Sequence, residues 1–273
     1  MTQGPILPLI VKFSLPLLMG NLFQQTYNLV DTAIVGQTLG AKALAAVGSS
    51  TSIQFLVMGF CIGMSLGFSI PVGQRFGAKD YSGMHRYEYA GGILAALFAA
   101  LVTLLTTVFC NHILHLLQVP EEIFHDAWVY LIIIFCEIPF TVMYNYLAGL
   151  MRAIGDSKTP FIYLAVASVL NIGLDFLFIV NVGMGVAGAA LATVLSQALS
   201  ALLCLYAVAR RYDVLHIEEE ARHYDFLEGK DLMGIGIPMG LQYSITAIGS
   251  VILQTSVNSL GKLYVTSVTA AQK

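Results

Sequence analysis

The protein has 273 residues, of which 57% are hydrophobic and 11% are charged. A soluble domain carries about 25% charged residues and about 45 to 50% apolar ones, so the composition excludes a water-soluble globule and indicates an integral membrane protein. The formal net charge of -3 gives no indication of a nucleic-acid partner. The four cysteines lie in apolar runs without CxxC spacing, which favours small buried apolar roles over a disulfide or metal framework.

Seven apolar segments are long enough to cross a bilayer as helices, which takes about 20 residues. In chain order the predicted helices cover residues 7–35, 43–72, 89–110, 128–151, 161–180, 186–209 and 232–260. The fold class predicted from this pattern is an all-α membrane protein.

Basic residues alternate between the two sets of connecting segments. They follow the second, fourth and sixth predicted helices, whereas the segments after the first, third and fifth helices hold Lys42 as their single Lys or Arg. Positively charged residues stay in the cytoplasm, so the alternation, together with Lys12, predicts a multi-pass protein of the cell membrane with a cytoplasmic N-terminus. The basic residues concerned are Arg75, Lys79, Arg86, Arg152, Lys158, Arg210, Arg211, Arg222 and Lys230.

The seventh helix resembles the first. Each has an early proline, Pro16 or Pro238, and each ends in Leu-Gly. Two independently kinked helices would share these features; a repeat would make six helices one unit, with a second, parallel unit just begun. The repeat predicts a six-helix lobe at 1–209, a cytoplasmic linker at 210–230 and the start of an incomplete C-terminal lobe at 231–273. The rest of that lobe is expected in the full-length chain.

Polar residues form a stripe on the first helix. Asn21, Gln24, Asn28 and Asp31 follow one another at spacings of three, four and three, which places them on one face. Lipid offers amides and carboxylates no partners, so the stripe faces the bundle interior or a water-filled cavity. Tyr27, four residues before Asp31, is placed to hydrogen-bond it. The alternative is a polar network that holds helices together.

The fifth and sixth helices carry similar polar pairs. Asn171 and Asp175 are four residues apart on one, and Thr193 and Gln197 are four apart on the next. Oxygen ligands suit hard cations such as Na⁺, and a desolvated carboxylate favours the protonated form. The residues therefore predict that Asp31 or Asp175 binds H⁺ or Na⁺, so that the protein responds to an ion gradient.

Glu137 lies within the fourth predicted helix, and the sequence leaves its role open. It is either a substrate contact or a solvated group near the outer interface. The sequence contains no P-loop motif, and its predicted helices contain no HExxH motif, GxGD motif or Ser/His pair. The sequence therefore predicts neither an enzyme nor a bound cofactor, apart from the coupling ion.

Several motifs in order resemble the multidrug and toxic compound extrusion (MATE) family. They are QQTYNLVDTAIVGQTLG at 24–40, QRFGAKD at 74–80, LMRAIGDSKTP at 150–160 and NIGLDFLFIVNVGMGVAGAALATVLSQ at 171–197. The resemblance implies twelve helices in two six-helix lobes and export of cationic or amphipathic compounds by alternating access, driven by H⁺ or Na⁺. Glu137 and the absence of five helices depart from the family pattern.

The resemblance also implies roles for particular residues. The family's cation site falls on Asp31, Asn171, Asp175 and Thr193, where Na⁺ is a possible ligand. The polar faces of the first and sixth helices separately predict a substrate cavity that includes Gln24, Tyr27, Asn28 and Gln197. The expected partners are an amphipathic or cationic small molecule and the lipid bilayer.

Two other readings remain open in the sequence. A lipid-linked oligosaccharide flippase of the same superfamily would line its cavity with several basic residues, whereas none of the 13 Lys and Arg lies in mid-helix. A seven-helix receptor would have its N-terminus outside, opposite to the charge bias.

Overall fold

The computed structural model describes residues 6–217 and 219–272. Seven spans within them are long and apolar enough to cross a membrane, so the predicted all-helical membrane fold is confirmed. The α-helices are α1 (Ile6–Thr38), α2 (Gly40–Gly77), α3 (Tyr81–Val108), α4 (Cys110–Leu116), α5 (Glu121–Phe135), α6 (Ile138–Ala153), α7 (Lys158–Asp175), α8 (Val186–Arg211), α9 (Phe226–Ser259) and α10 (Lys262–Gln272).

Two of the spans are not regular α-helices. The predicted fourth helix is divided into α5 and α6 by a turn at Cys136 and Glu137, with Pro139 at the start of α6. The fifth span continues from α7 into a π-helical segment, Phe176–Asn181. Both irregularities lie beside acidic residues inside membrane spans.

The third helix begins earlier than predicted, at Tyr81 rather than at residue 89. Asp80 caps it, since its carboxylate accepts a hydrogen bond from the backbone N–H of Gly83 over 3.0 Å. The predicted helix begins only after the charged residues, but His85, Arg86 and Glu88 all belong to α3. The N-cap signal therefore outweighs the polarity of the first turns.

Helix α2 packs directly against α9 along a seam of small residues. A Cβ atom on Gly63 would lie 2.5 Å from the backbone oxygen of Met239, and one on Gly67 would lie 2.7 Å from Cα of Gly236. Small residues four apart allow membrane helices to approach each other this closely. The first lobe and the helix after the predicted linker therefore form one packed unit.

The basic connecting segments meet at one end of the bundle. Tyr212, after α8, donates a hydrogen bond of 2.5 Å to Asp156, between α6 and α7. His85 of α3 contacts the carbonyl oxygen of Val214 at 3.0 Å. These contacts agree with the strict alternation of sides that the charges predict.

The predicted linker, 210–230, is longer than the connection that the structure describes. Helix α8 continues to Arg211 and α9 begins at Phe226, capped by Asp225, whose carboxylate accepts from the N–H of Leu227. Glu218, in this segment, lies outside the described residues. The division of the chain into 1–209, 210–230 and 231–273 otherwise stays a prediction.

Three of the four cysteines are buried, as expected, but Cys136 is exposed. The expectation is wrong for Cys136 because this residue lies in the turn between α5 and α6, where the helix pattern that would bury it is interrupted.

Candidate functional site

Asp175 is the last residue of α7 and is fully buried, with 0% of its surface exposed. Neither of its carboxylate oxygens makes a hydrogen bond with any described residue. Asn171, one turn earlier, is 1% exposed, and neither its amide oxygen nor its amide nitrogen makes a hydrogen bond within the same described region. Buried polar groups are normally hydrogen-bonded, so this pair has unused capacity to bind a ligand.

A small cavity adjoins the pair. It brings Asn171 of α7 together with Tyr27 of α1 and with Thr193 and Gln197 of α8. The Thr193 hydroxyl donates to the carbonyl of Ala189 over 3.1 Å, which leaves the lone pairs of its oxygen available as acceptors. Four of the eight predicted site residues therefore surround one space.

Asp31 is close enough to Asp175 for their charges to interact. Asp31 is less buried than Asp175: the residue is half-buried, although its Oδ1 is buried. Most of the surface of α1 is exposed. The helix contacts α7, where Phe23 of α1 packs against Phe161 of α7 with ring centroids 5.9 Å apart. The polar stripe is therefore graded, from exposed Asn21 to half-buried Asp31.

A second, larger cleft lies between α1, α6 and α7. Gln24 lines this cleft together with Asn21, Asn145 and Arg152, whereas Asn28 lines neither of the two cavities. The Arg152 Nε donates to the carbonyl of Ala148 in the last turn of α6. The predicted substrate residues are thus divided between two spaces.

Glu137 is buried, with 8% of its surface exposed, and lies in the turn between α5 and α6. Thr141 donates a hydrogen bond of 2.9 Å to its Oε1. The alternative of a solvated group at the outer interface is therefore wrong: the residue lies midway along the span Glu121–Ala153, not at its end.

Sequence reasoning missed two serines of the small cavity. Ser168 and Ser196 line it, and the Ser196 hydroxyl is buried without a hydrogen bond among the described residues. Each lies three residues from a predicted site residue, Asn171 or Thr193, on the same helix. Extension of the polar pairs by one helical turn would have identified both.

The polar groups of this site suit a small hard cation. Asp31, Asn171, Asp175 and Thr193 offer carboxylate, amide and hydroxyl oxygens, the ligands that Na⁺ and similar ions prefer. The two unpaired Asp175 oxygens supply the negative charge, and a proton would satisfy one of them equally well. The assignment of these four residues to a cation site stays a prediction.

A bundle of membrane-spanning helices with broken segments beside buried polar groups is typical of membrane transporters. A family model described as MatE matches residues 16–177. The chain therefore belongs to the MATE family.

Similar proteins and structures agree with this assignment. Over its whole length the chain is 35% identical to the probable multidrug resistance protein YpnP of Bacillus subtilis, of which it covers 61%. It superposes with a TM-score of 0.84 at 26% identity on an inward-facing MATE transporter of the MOP superfamily, covering 91% of this chain and 57% of the other. An outward-facing structure of the same description gives 0.82 at 27% identity, with 88% and 53% covered. The chain thus spans between half and two thirds of the length of these relatives.

Proposed function

We propose that this chain is part of a cation-coupled antiporter of the cell membrane that exports amphipathic or cationic small molecules by alternating access. The observation that carries the proposal is Asp175, a fully buried carboxylate inside a membrane span whose two oxygens make no hydrogen bond with the described residues. An ionisable group at that depth is costly and marks an ion or substrate pathway. The relative from Bacillus subtilis is named a probable multidrug resistance protein, which supports drugs as substrates.

The cation cycle follows from the charges of the site. With H⁺ or Na⁺ bound to Asp31, Asn171, Asp175 and Thr193, the carboxylate charge is neutralised. Release of the cation to the cytoplasm leaves that charge buried, which favours the conformation able to bind a cationic substrate. Similarity to both inward-facing and outward-facing MATE structures supports alternating access. The positive residues at one end support a cytoplasmic N-terminus.

The cavity polarity favours an exporter over a lipid-linked oligosaccharide flippase. Of the residues that line the two described cavities, one, Arg152, is basic. A pyrophosphate group would need several cationic partners to replace its hydration. Amides, tyrosines and apolar side chains instead suit a permissive cavity for amphipathic compounds.

Export by the intact protein tests the proposal. Ethidium efflux from membrane vesicles is measured with imposed H⁺ or Na⁺ gradients, for the wild type and for Asp175→Asn. We expect at least a tenfold loss of gradient-driven efflux in the variant at equal expression. Asp126→Asn is the matched control, since Asp126 pairs with Lys42 at a half-exposed position. Full efflux in Asp175→Asn would contradict the coupling role.

A further inference from the structure

Glu137 is a further buried carboxylate within the first lobe, 8% exposed, besides Asp175. Its Oε1 accepts the hydrogen bond from Thr141, which leaves Oε2 as the oxygen to which a proton can add. No lysine, arginine or histidine in the described part of the chain forms an ion pair with it. Its negative charge would therefore stand in the membrane interior without a counter-ion, which is costly.

The backbone around Glu137 is irregular in the way that ion sites in transporters are. Backbone hydrogen bonds between residues three apart close the turn. The N–H of Glu137 donates to the carbonyl oxygen of Ile134, and the N–H of Phe140 donates to the carbonyl oxygen of Glu137, both over 2.9 Å. The π-helical segment Phe176–Asn181 follows Asp175. Discontinuous helices and π-segments recur at functional sites, and here each one adjoins a carboxylate.

Two tyrosines connect Glu137 to the aspartates. Tyr27 and Tyr130 each interact electrostatically with Glu137 and with both Asp31 and Asp175. Tyr130 is buried on α5, with 5% of its surface exposed. The same two phenols thus lie within electrostatic range of all three carboxylates.

The described groups that face Glu137 come from four helices. They are Tyr27 of α1, Cys61 of α2, Tyr130 of α5 and Thr141 of α6. They are phenols, a thiol and a hydroxyl, none of which is a cation. A positive charge that neutralises Glu137 would therefore come from solution.

The side chain of Glu137 suits a proton. Thr141 donates its hydroxyl to Oε1, so one carboxyl oxygen can hold that hydrogen bond while the other carries the proton. In residues 6–217 and 219–272, no cluster of three His, Cys, Asp or Glu side chains that could hold a metal ion is found.

We propose that Glu137 carries a second coupling ion, a proton that adds to Oε2 from the outer solution and leaves to the cytoplasm in each cycle. This proton is additional to the H⁺ or Na⁺ held by the Asp31 and Asp175 pair. The inference rests on the proposed function, because it assumes an ion-coupled exporter. It increases by one the number of cations exchanged for each substrate.

The number of coupled protons is measured from an equilibrium. The intact protein is reconstituted into liposomes with equal Na⁺ on both sides and the membrane potential held at zero. For each imposed pH gradient, the ethidium concentration ratio at which net flux stops is determined. Each coupled proton multiplies that ratio tenfold per pH unit. This readout gives the same answer for Glu137 whether the aspartates bind H⁺ or Na⁺.

We expect Glu137→Gln to reduce the limiting ethidium ratio tenfold per pH unit relative to the wild type. Glu88→Gln is the matched control, because Glu88 is a buried glutamate of α3, 4% exposed, outside the set of groups that face Glu137. It should keep the wild-type ratio. An unchanged ratio in an active Glu137→Gln protein, or an equal fall in Glu88→Gln, would overturn the inference.

Further variants distinguish this inference from the proposed function. If Glu137→Gln is inactive, Glu137→Asp should remain active with the wild-type ratio, because it keeps the carboxyl group; an inactive Asp variant would mean a structural role and overturn the inference. Asp175→Asn tests the proposed function separately. Gradient-driven export in that variant would contradict the proposed antiporter function, whatever the result for Glu137.

Discussion

At the scale of single residues, Asp175 is a group that the fold accommodates at a cost. It is fully buried, and its oxygens have no hydrogen-bonding partner among the described residues. A charged aspartate at the centre of a membrane helix costs about 2.5 to 3.5 kcal/mol on insertion scales. Such a cost is retained in natural proteins where function needs it.

Asp175→Asn should therefore stabilise the protein while removing its coupling. We expect the midpoint of thermal unfolding in detergent, without a bound substrate, to rise by an amount equivalent to as much as about 3 kcal/mol. Asp126→Asn should leave the midpoint nearly unchanged, since the Lys42–Asp126 pair is partly exposed. A lower midpoint for Asp175→Asn would mean that the carboxylate holds the fold together.

The sequence predicted which polar residues share a helix face better than it predicted their burial. Helical spacing places Asn171 with Asp175 and Thr193 with Gln197, and the structure brings Asn171, Thr193 and Gln197 to one cavity. The half-burial of Asp31 could not be predicted, because exposure depends on which helices cover α1, and the sequence of α1 does not contain that information.

At the scale of elements, the seam between α2 and α9 depends on glycines. Gly63→Ala should destabilise the protein by about 1 to 3 kcal/mol, because the new Cβ would lie 2.5 Å from the backbone oxygen of Met239, which cannot move without its helix. Gly249→Ala in α9 is the control, since a Cβ there meets nothing within 4 Å. Thermal unfolding in detergent compares the two; equal midpoints would contradict the close packing.

The segment between α6 and α7 is joined to the segment after α8 through Asp156. Burial raises the pKa of this carboxyl, but hydrogen bonds from Tyr212, from the Thr159 hydroxyl and N–H, and from the N–H of Lys158 outweigh it, so the pKa lies below its ordinary 3.8. A lowered pKa stabilises the folded protein above pH 3.8. That stabilisation is lost as the pH falls through the lower, folded-state value.

Tyr212→Phe should therefore lower the unfolding temperature at neutral pH, by an amount equivalent to about 1 kcal/mol after solvent screening. The difference from the wild type should shrink as the pH falls from 3.8 through the lower pKa of folded Asp156, below which Asp156 is protonated in both folded and unfolded chains. Tyr206→Phe, at an exposed position of α8, should show no difference at any pH. A deficit that persists unchanged in acid would assign the Tyr212 effect to packing.

Element boundaries show where sequence reasoning stops. Pro139 signals the start of α6, so the division of the fourth span was available from the sequence. The π-helical segment after Asp175 was not, because the apolar pattern of residues 176–181 is compatible with either hydrogen-bonding register. Backbone register at such points is determined by the packing of neighbouring helices.

At the scale of the whole molecule, two contacts connect α3 to the start of α9. Arg86 Nε lies 3.5 Å from Glu228 Oε1, and the Tyr87 hydroxyl donates to Asp231 over 3.0 Å. We call these four residues the α3–α9 clasp. The clasp lies at the end of the bundle where the basic segments meet, so in an alternating-access cycle it would close that end.

Charge exchange tests the clasp. Arg86→Glu should reduce ethidium export severalfold, because it places two carboxylates together at a position where Glu228 is 9% exposed. The double variant, Arg86→Glu with Glu228→Arg, should recover most of the activity. Lys262→Glu is the control, since Lys262 pairs with the largely exposed Glu122. Failure of the double variant to recover would contradict a direct ionic contact.

The global fold could be predicted because membrane insertion imposes a simple rule. Each span needs about 20 apolar residues, and the positive segments must alternate. The packing of α2 on α9 could not be predicted in the same way, since Gly63 and Gly236 acquire their meaning from a contact between segments far apart in the chain.

The central claim, that ion and substrate move in opposite directions across the membrane, is tested most directly by reversing the usual experiment. An ethidium gradient alone is imposed across liposomes containing the intact protein, and H⁺ and Na⁺ movements are recorded with entrapped indicators. We predict a flux of one or both ions against the ethidium flux in the wild type and its loss in Asp175→Asn. Ethidium movement without an opposing ion flux, or with the same flux in the variant, would contradict the account.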